Sequence, residues 1–226
     1  MIRILCLETS GSVCSIALIE QGKIVGEKEE QIENSHAKLL NVMIIELLEE
    51  IGWAFNDLSA VAVSSGPGSY TGLRIGVSTG KAICWGKDIP LIAVNSLEIM
   101  KDTMSEYANK FTYLVPASDA RRNEVFLSVF KEEEEIIEVH PYILDTNPLE
   151  KLEEGDFLVF GSGAQKFEPF LTAKDSIIEG IIPLAKNMLK SVWEKWLIED
   201  FEDVAYFEPT YFKAVHTTVS KKKFFV

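Results

Sequence analysis

The chain has 226 residues, 47% of them hydrophobic, and a formal charge of −13. That size suits one large domain or two small lobes with a substantial core, and no apolar run nears the roughly 20 residues of a membrane span. The acidic balance argues against a direct grip on nucleic acid, because that affinity comes mainly from Lys and Arg neutralising phosphates. Lys221-Lys222-Lys223 is a basic run that reads as a solvated tail. Met1–Glu8 reads as a first strand rather than a signal peptide. Cys6, Cys14 and Cys84 are scattered in apolar settings and read as reduced core residues of a cytoplasmic protein.

In chain order, Arg3–Glu8 is an apolar strand that exits into the turn Thr9-Ser10-Gly11-Ser12. Val13–Glu20 follows, and Gln21-Gly22 is a hairpin signal leading to Lys23–Glu29. Asn34-Ser35 caps a helix that Gly52 stops. Ala60–Ser64 is a short buried strand; a Gly-rich turn and a second helix come next, then the strand Pro90–Asn95, and Ser96 caps a helix running to about Asn109. The order then begins again: strands at Phe111–Ala117, Glu124–Lys131 and Ile136–Tyr142, a weak helix at Pro148–Glu154, and a strand at Asp156–Phe160. A long helix over Ile182–Asp200 and an extended end at Glu208–Lys213 complete the chain. An N-terminal meander feeding alternating units, twice over, predicts an α/β fold of two lobes with mixed sheets, divided at 1–97 and 98–226, with the extreme C-terminus free to pack back on the first lobe.

The segment Ser64–Lys81 carries the most information. Gly66 and Gly68 flank Pro67, which fixes the backbone at one residue and frees its neighbours. Behind that turn, Gly72, Gly76 and Gly80 repeat at i, i+4 and i+8 along a helix. Each costs about 1 kcal/mol relative to Ala, so the stripe implies that another backbone comes close there. The nucleotide fingerprints fail: Gly66–Gly72 has one residue too many for G-x-G-x-x-G, and Ala82 stands where a P-loop needs Ser or Thr. Gly76-Val77-Ser78-Thr79-Gly80 matches the nucleophile elbow, but Ser78 falls inside the helix rather than on the strand-to-helix turn. His36, His140 and His216 are isolated, which points away from a metal centre; His36 reads as a capping or surface residue.

Helix faces point to a partner. On the first helix Leu39, Leu40, Met43, Ile44, Leu47, Leu48 and Ile51 form an apolar arc, and Val42 and Ile45 lie outside it. On the second, Arg74, Ser78 and Lys81 make a narrow polar wedge between two apolar faces. One sheet covers one face, so the other is left for another protein or for the chain's own C-terminal half. The expected contact set is Val42, Ile45, Gly72, Leu73, Gly76, Val77, Gly80 and Lys81.

Ile4-Leu5-Cys6-Leu7-Glu8-Thr9-Ser10, Ser35–Leu40, Gly66–Gly76 and Asp119–Val125 together resemble the TsaB (YeaZ) family of the tRNA threonylcarbamoyladenosine pathway. Gly66, Pro67, Gly68, Ser69, Thr71 and Arg74 belong to its signature loop; Glu8 departs from a frequent Asp and Lys213 from a usual Arg. The resemblance implies a two-lobe actin-like or Hsp70-like (ASKHA, RNase H-like) fold with a reduced second lobe. It also implies a non-catalytic, cytoplasmic scaffold without a metal or an obligatory cofactor. Its partners would be a TsaD-like catalytic subunit, a TsaE-like ATPase, and a second copy of itself when alone, with tRNA met only through the complex and no membrane involved. Actin-like ATPases hold phosphates at turns like Thr9–Ser12 and magnesium through acidic residues there; here those positions are Glu8, Thr9, Ser10 and Asp119. ATP or ADP at the partner interface therefore stays open, as does a self-sufficient ATPase or glycoprotease-like hydrolase.

Overall fold

The computed structural model describes residues 1–31 and 36–212. The cap expected at Asn34-Ser35, the side chain of His36, Lys213, His216 and the Lys221–Lys223 run lie outside the described residues.

Strands β1 (Arg3–Glu8), β2 (Cys14–Glu20) and β3 (Lys23–Glu30) form an antiparallel meander. Helix α1 (His36–Ile51) crosses to β4 (Ala60–Gly66), which lies parallel beside β1, and α2 (Tyr70–Lys87) crosses to β5 (Leu91–Asn95). The sheet order is β3-β2-β1-β4-β5. After α3 (Ser96–Thr103), the strands β6 (Tyr113–Asp119), β7 (Glu124–Lys131), β8 (Glu134–Ile143), β9 (Phe157–Phe160) and β10 (Ser176–Ile178) build a second sheet ordered β10-β9-β6-β7-β8. The two sheets share one pattern, an antiparallel meander with parallel strands added beside its first member. This is the two-lobe arrangement expected from the repeated strand order, and the ASKHA-like fold that the family resemblance implies.

Both faces of the first sheet are buried, and the period-2 alternation of its strands divides them. Leu5, Leu7, Val61 and Val63 pack under α1 and α2, whereas Ile4, Cys6, Ala60 and Ala62 point the other way, toward Ile99 of α3 and Met188 and Val192 near the C-terminus. Helix α3 is shared: Leu97, Met100 and Met104 pack on Leu114, Leu158 and Phe160 of the second sheet. The three cysteines are free and buried, and burial, with help from Glu8 and Glu30, pushes the Cys14 thiol up to about 11.

Several elements differ from the sequence reading. Pro148–Glu154 forms turns rather than a helix. The long helix starts late, as a 3-10 turn at Ala185–Met188 followed by α4 (Leu189–Leu197), because Leu184 before it is extended. Helix α3 is capped by Asn95, whose side chain accepts the Leu97 N–H at 2.8 Å, and it ends at Thr103 rather than near Asn109. Residues 201–212 return to the first lobe as a strap. The Glu202 N–H donates to the Leu91 carbonyl at 2.9 Å, and the Thr210 N–H to the Ser65 carbonyl at 2.9 Å. No helix among the described residues is long and apolar enough to cross a membrane.

Candidate partner interface

Strand β4 ends at Gly66, whose φ of 103° lies in the region that favours glycine, and the Gly66–Pro67 peptide is cis. Ser69 then caps α2, accepting the Gly72 N–H at 3.2 Å. At Gly72 the glycine stripe of α2 does meet a close backbone, but it is the chain's own, and Gly76 and Gly80 face side chains of the same lobe. A Cβ on Gly72 would overlap the Thr9 carbonyl oxygen, and one on Gly76 the Thr9 hydroxyl; on Gly80 it would reach 2.6 Å from Val63. Thr9 Oγ1 donates to the Gly72 carbonyl at 2.8 Å, and the Ser69 N–H donates to the Ser10 carbonyl at 2.7 Å.

The expected contact set is therefore corrected. Gly72, Leu73, Gly76, Val77 and Gly80 are interior residues, sealed by the β1–β2 turn and the first sheet. Lys81 is committed to the strap, donating to the carbonyls of Phe207 at 2.7 Å and Ala205 at 3.3 Å. Arg74 of the signature loop is tied there as well: its guanidinium lies 4.2 Å from the Tyr70 ring centroid and donates to the Tyr211 hydroxyl at 3.2 Å. Two residues of the polar wedge, Arg74 and Lys81, thus seat the strap, whereas Ser78 is exposed and lines a cavity between α1 and α2.

The same closure decides the phosphate corner. Glu8 is fully buried, and Thr9 and Ser10 are buried beside it. The Ser10 N–H donates to Glu8 Oε1 at 2.5 Å, and the Gly11 N–H also acts on this carboxyl group. These turn N–H groups are the kind that bind a phosphate oxygen, and here an internal carboxyl group takes them. Glu8 Oε2 and the nearby Ser64 Oγ have no hydrogen-bond partner. Burial raises the Glu8 pKa, and the groups of the turn at Ser10 and Gly11 offset only part of that. Asp119 stands in the second sheet with a different fate. Partial burial would lift its pKa, but Lys166, whose Nζ lies 2.6 Å from Oδ1, and the Arg121 N–H hold it below the usual value. A carboxyl group already closed on its own turn and a carboxylate already paired with lysine leave poor ligands for a magnesium–phosphate group, and the contacts that Glu8, Thr9, Ser10 and Asp119 make are internal ones.

What α1 and α2 leave uncovered is a different surface. The arc from Leu40 to Leu48 on α1 is buried, while Val42 and Ile45 are about half exposed, at 49% and 48%. Between the helices runs a cavity of about 430 Å³, lined by Asn41, Phe55, Thr79, Ala82 and Ile83 among others. Trp85, also on α2, is 75% exposed. Reading the glycines as contact residues hid Trp85. The signal was present in Ser78, Ala82 and Trp85, which repeat at i, i+4 and i+7 on the side of α2 opposite the stripe.

Residues 23–149 match the family model described as TsaD, tRNA N6-adenosine threonylcarbamoyltransferase. The tRNA threonylcarbamoyladenosine biosynthesis protein TsaB of Bacillus subtilis is 35% identical over 136 residues, 60% of this chain, so the chain spans little more than half (58%) of that relative. The TsaB protein of Escherichia coli is 28% identical over 93% of this chain and 94% of its own length. The solved structure of YeaZ from Pseudomonas aeruginosa superposes with a TM-score of 0.81 at 25% identity, covering 93% of this chain and all of that one. Since the model match alone spans more than half the chain, and the named relatives are TsaB proteins, the chain belongs to the TsaB (YeaZ) branch of the TsaD-type family.

Proposed function

We propose that this chain is a non-catalytic scaffold in the formation of N6-threonylcarbamoyladenosine in tRNA, and that it pairs with a TsaD-type catalytic subunit through the exposed face of α1 and α2. The observation that carries this reading is the apolar groove between those helices, together with the exposed Val42 and Ile45 on α1 and Trp85 on α2. Contiguous exposed apolar surface of this kind marks an interface, and large aromatic and aliphatic side chains at its centre are the usual anchors. A closed phosphate corner supports a scaffold rather than a hydrolase, and a net charge of −13 supports tRNA being gripped by another component. An ATPase of the TsaE type would join the assembly, and the same face would pair two copies of this chain when no partner is present.

Sedimentation of the chain alone, of a TsaD-type subunit alone and of the mixture tests the proposal. The wild-type mixture is expected to run as a mixed complex, and Val42→Glu and Ile45→Glu are expected to abolish it while leaving circular dichroism unchanged. A charged carboxylate in a desolvated interface costs several kcal/mol, enough to weaken binding at least a hundredfold. A mixed complex that forms equally well with both variants would place the interface elsewhere.

A further inference from the structure

Away from the α1/α2 face, one group of charged side chains joins elements that belong to different lobes. Lys101 of α3 is only 5% exposed. Its Nζ lies 2.9 Å from Asp102 Oδ1 and 2.8 Å from Glu133 Oε2, the latter at the turn between β7 and β8. The same Glu133 oxygen also accepts from Lys190 of α4. Beside them Ser191 Oγ lies 2.7 Å from Glu98 Oε1 and 3.1 Å from Asp102 Oδ2. The group surrounds a cavity of about 170 Å³.

The allegiance of these elements gives the cluster its meaning. Helix α4 packs through Val192 on the first sheet, alongside Ile4 and Cys6. The β7–β8 turn belongs to the second sheet. Helix α3 lies between the two. A single carboxylate thus bridges a lysine of the first lobe's outer helix to a buried lysine of the shared helix. We propose that Glu133 is the bolt of an inter-lobe latch: by joining Lys190 to Lys101 it holds the two sheets at one angle. Both lysines contribute, since Lys101 and Lys190 share one oxygen and would repel each other if it were neutralised. Burial opposes the charge on Lys101, and its bonds to Glu133 and Asp102 more than restore it; the two lysines draw Glu133 down to about 2. The latch therefore stays charged at neutral pH.

Hydrogen exchange read by mass spectrometry on the full chain tests this. In Glu133→Gln, peptides covering α4 and the β7–β8 turn are expected to exchange about fivefold faster, while those of α1 and α2 keep wild-type rates. Lys190→Met leaves the buried pair in place and is expected to accelerate α4 without the hairpin, which keeps the proposal testable if the first variant does not fold. Glu153→Gln serves as the control, because its partner Lys131 lies on β7 and the pair joins no second lobe. Wild-type rates in both latch variants, acceleration spread evenly over all peptides, or the same acceleration in the control would each overturn the proposal.

Discussion

Glu8 combines full burial with one oxygen accepting from Ser10 and another that accepts nothing, and a testable pH dependence follows. Its folded pKa is raised above the ordinary 4.5 by burial first, with the hydrogen bonds of the turn opposing. Below 4.5 the group is protonated in both states and costs nothing. As pH rises beyond that value the unfolded chain releases the proton while the folded chain keeps it, so stability falls until the folded pKa is passed. Glu8→Gln preserves an acceptor for Ser10 and removes this loss. Its urea midpoint is expected to exceed that of the wild type at pH 8 and to match it at pH 4, with an unchanged slope; a constant gap across that range would refute the assignment. Gly72 is the complementary case, a residue whose missing side chain makes room for the Thr9 carbonyl. Gly72→Ala forces two backbones apart and is expected to cost about 3 kcal/mol, read as a lowered urea midpoint.

Helix α2 shows how far a sequence pattern can be followed. Glycines at i, i+4 and i+8 announce a close backbone, and one is there. The spacing cannot say whose backbone it is, because the Thr9 turn reaches the stripe only through a pairing of β1 with β4 some sixty residues later in the chain. The polar wedge has the same limit: nothing local shows that Arg74 and Lys81 take their partners from a strap beyond residue 200. Local signals fared unevenly for physical reasons. Gln21-Gly22 makes the hairpin its type predicts, whereas Pro148–Glu154 is too short to hold a helix on its own. Strand β10 has three residues, too few for any period to register. The strap's hold on α2 is measurable. Lys81→Met keeps the stem and removes the ammonium that caps two carbonyls, so it is expected to cost about 2 kcal/mol and to raise exchange in residues 201–212 before any other segment. Equal protection of the strap in the variant would show that Tyr211 and the Thr210 bond suffice without Lys81.

The two sheets repeat one strand order, and that duplication was readable because each half spells out meander, strand and crossover in turn. Where the lobes divide in sequence is a separate matter from where they divide in packing. A boundary at residue 97 cuts the chain between β5 and α3, yet Met188 and Val192 complete the core on the outer face of the first sheet, and the strap pairs Glu202 with Leu91 at its edge. The first lobe is thus a discontinuous unit, built from both ends of the chain with the second lobe inserted between. Without the C-terminal portion, Ile4, Cys6, Ala62 and Val94 would present an apolar sheet face to water, and a chain of that size has little stability to spare. A fragment of residues 1–104 is therefore expected to show helical far-ultraviolet dichroism without near-ultraviolet structure, and to bind a hydrophobic dye. Co-expression with a peptide of residues 182–212 is expected to restore the near-ultraviolet signal and expel the dye. If residues 1–104 alone give a cooperative unfolding transition, the first lobe is a contiguous domain and the C-terminal elements merely decorate it.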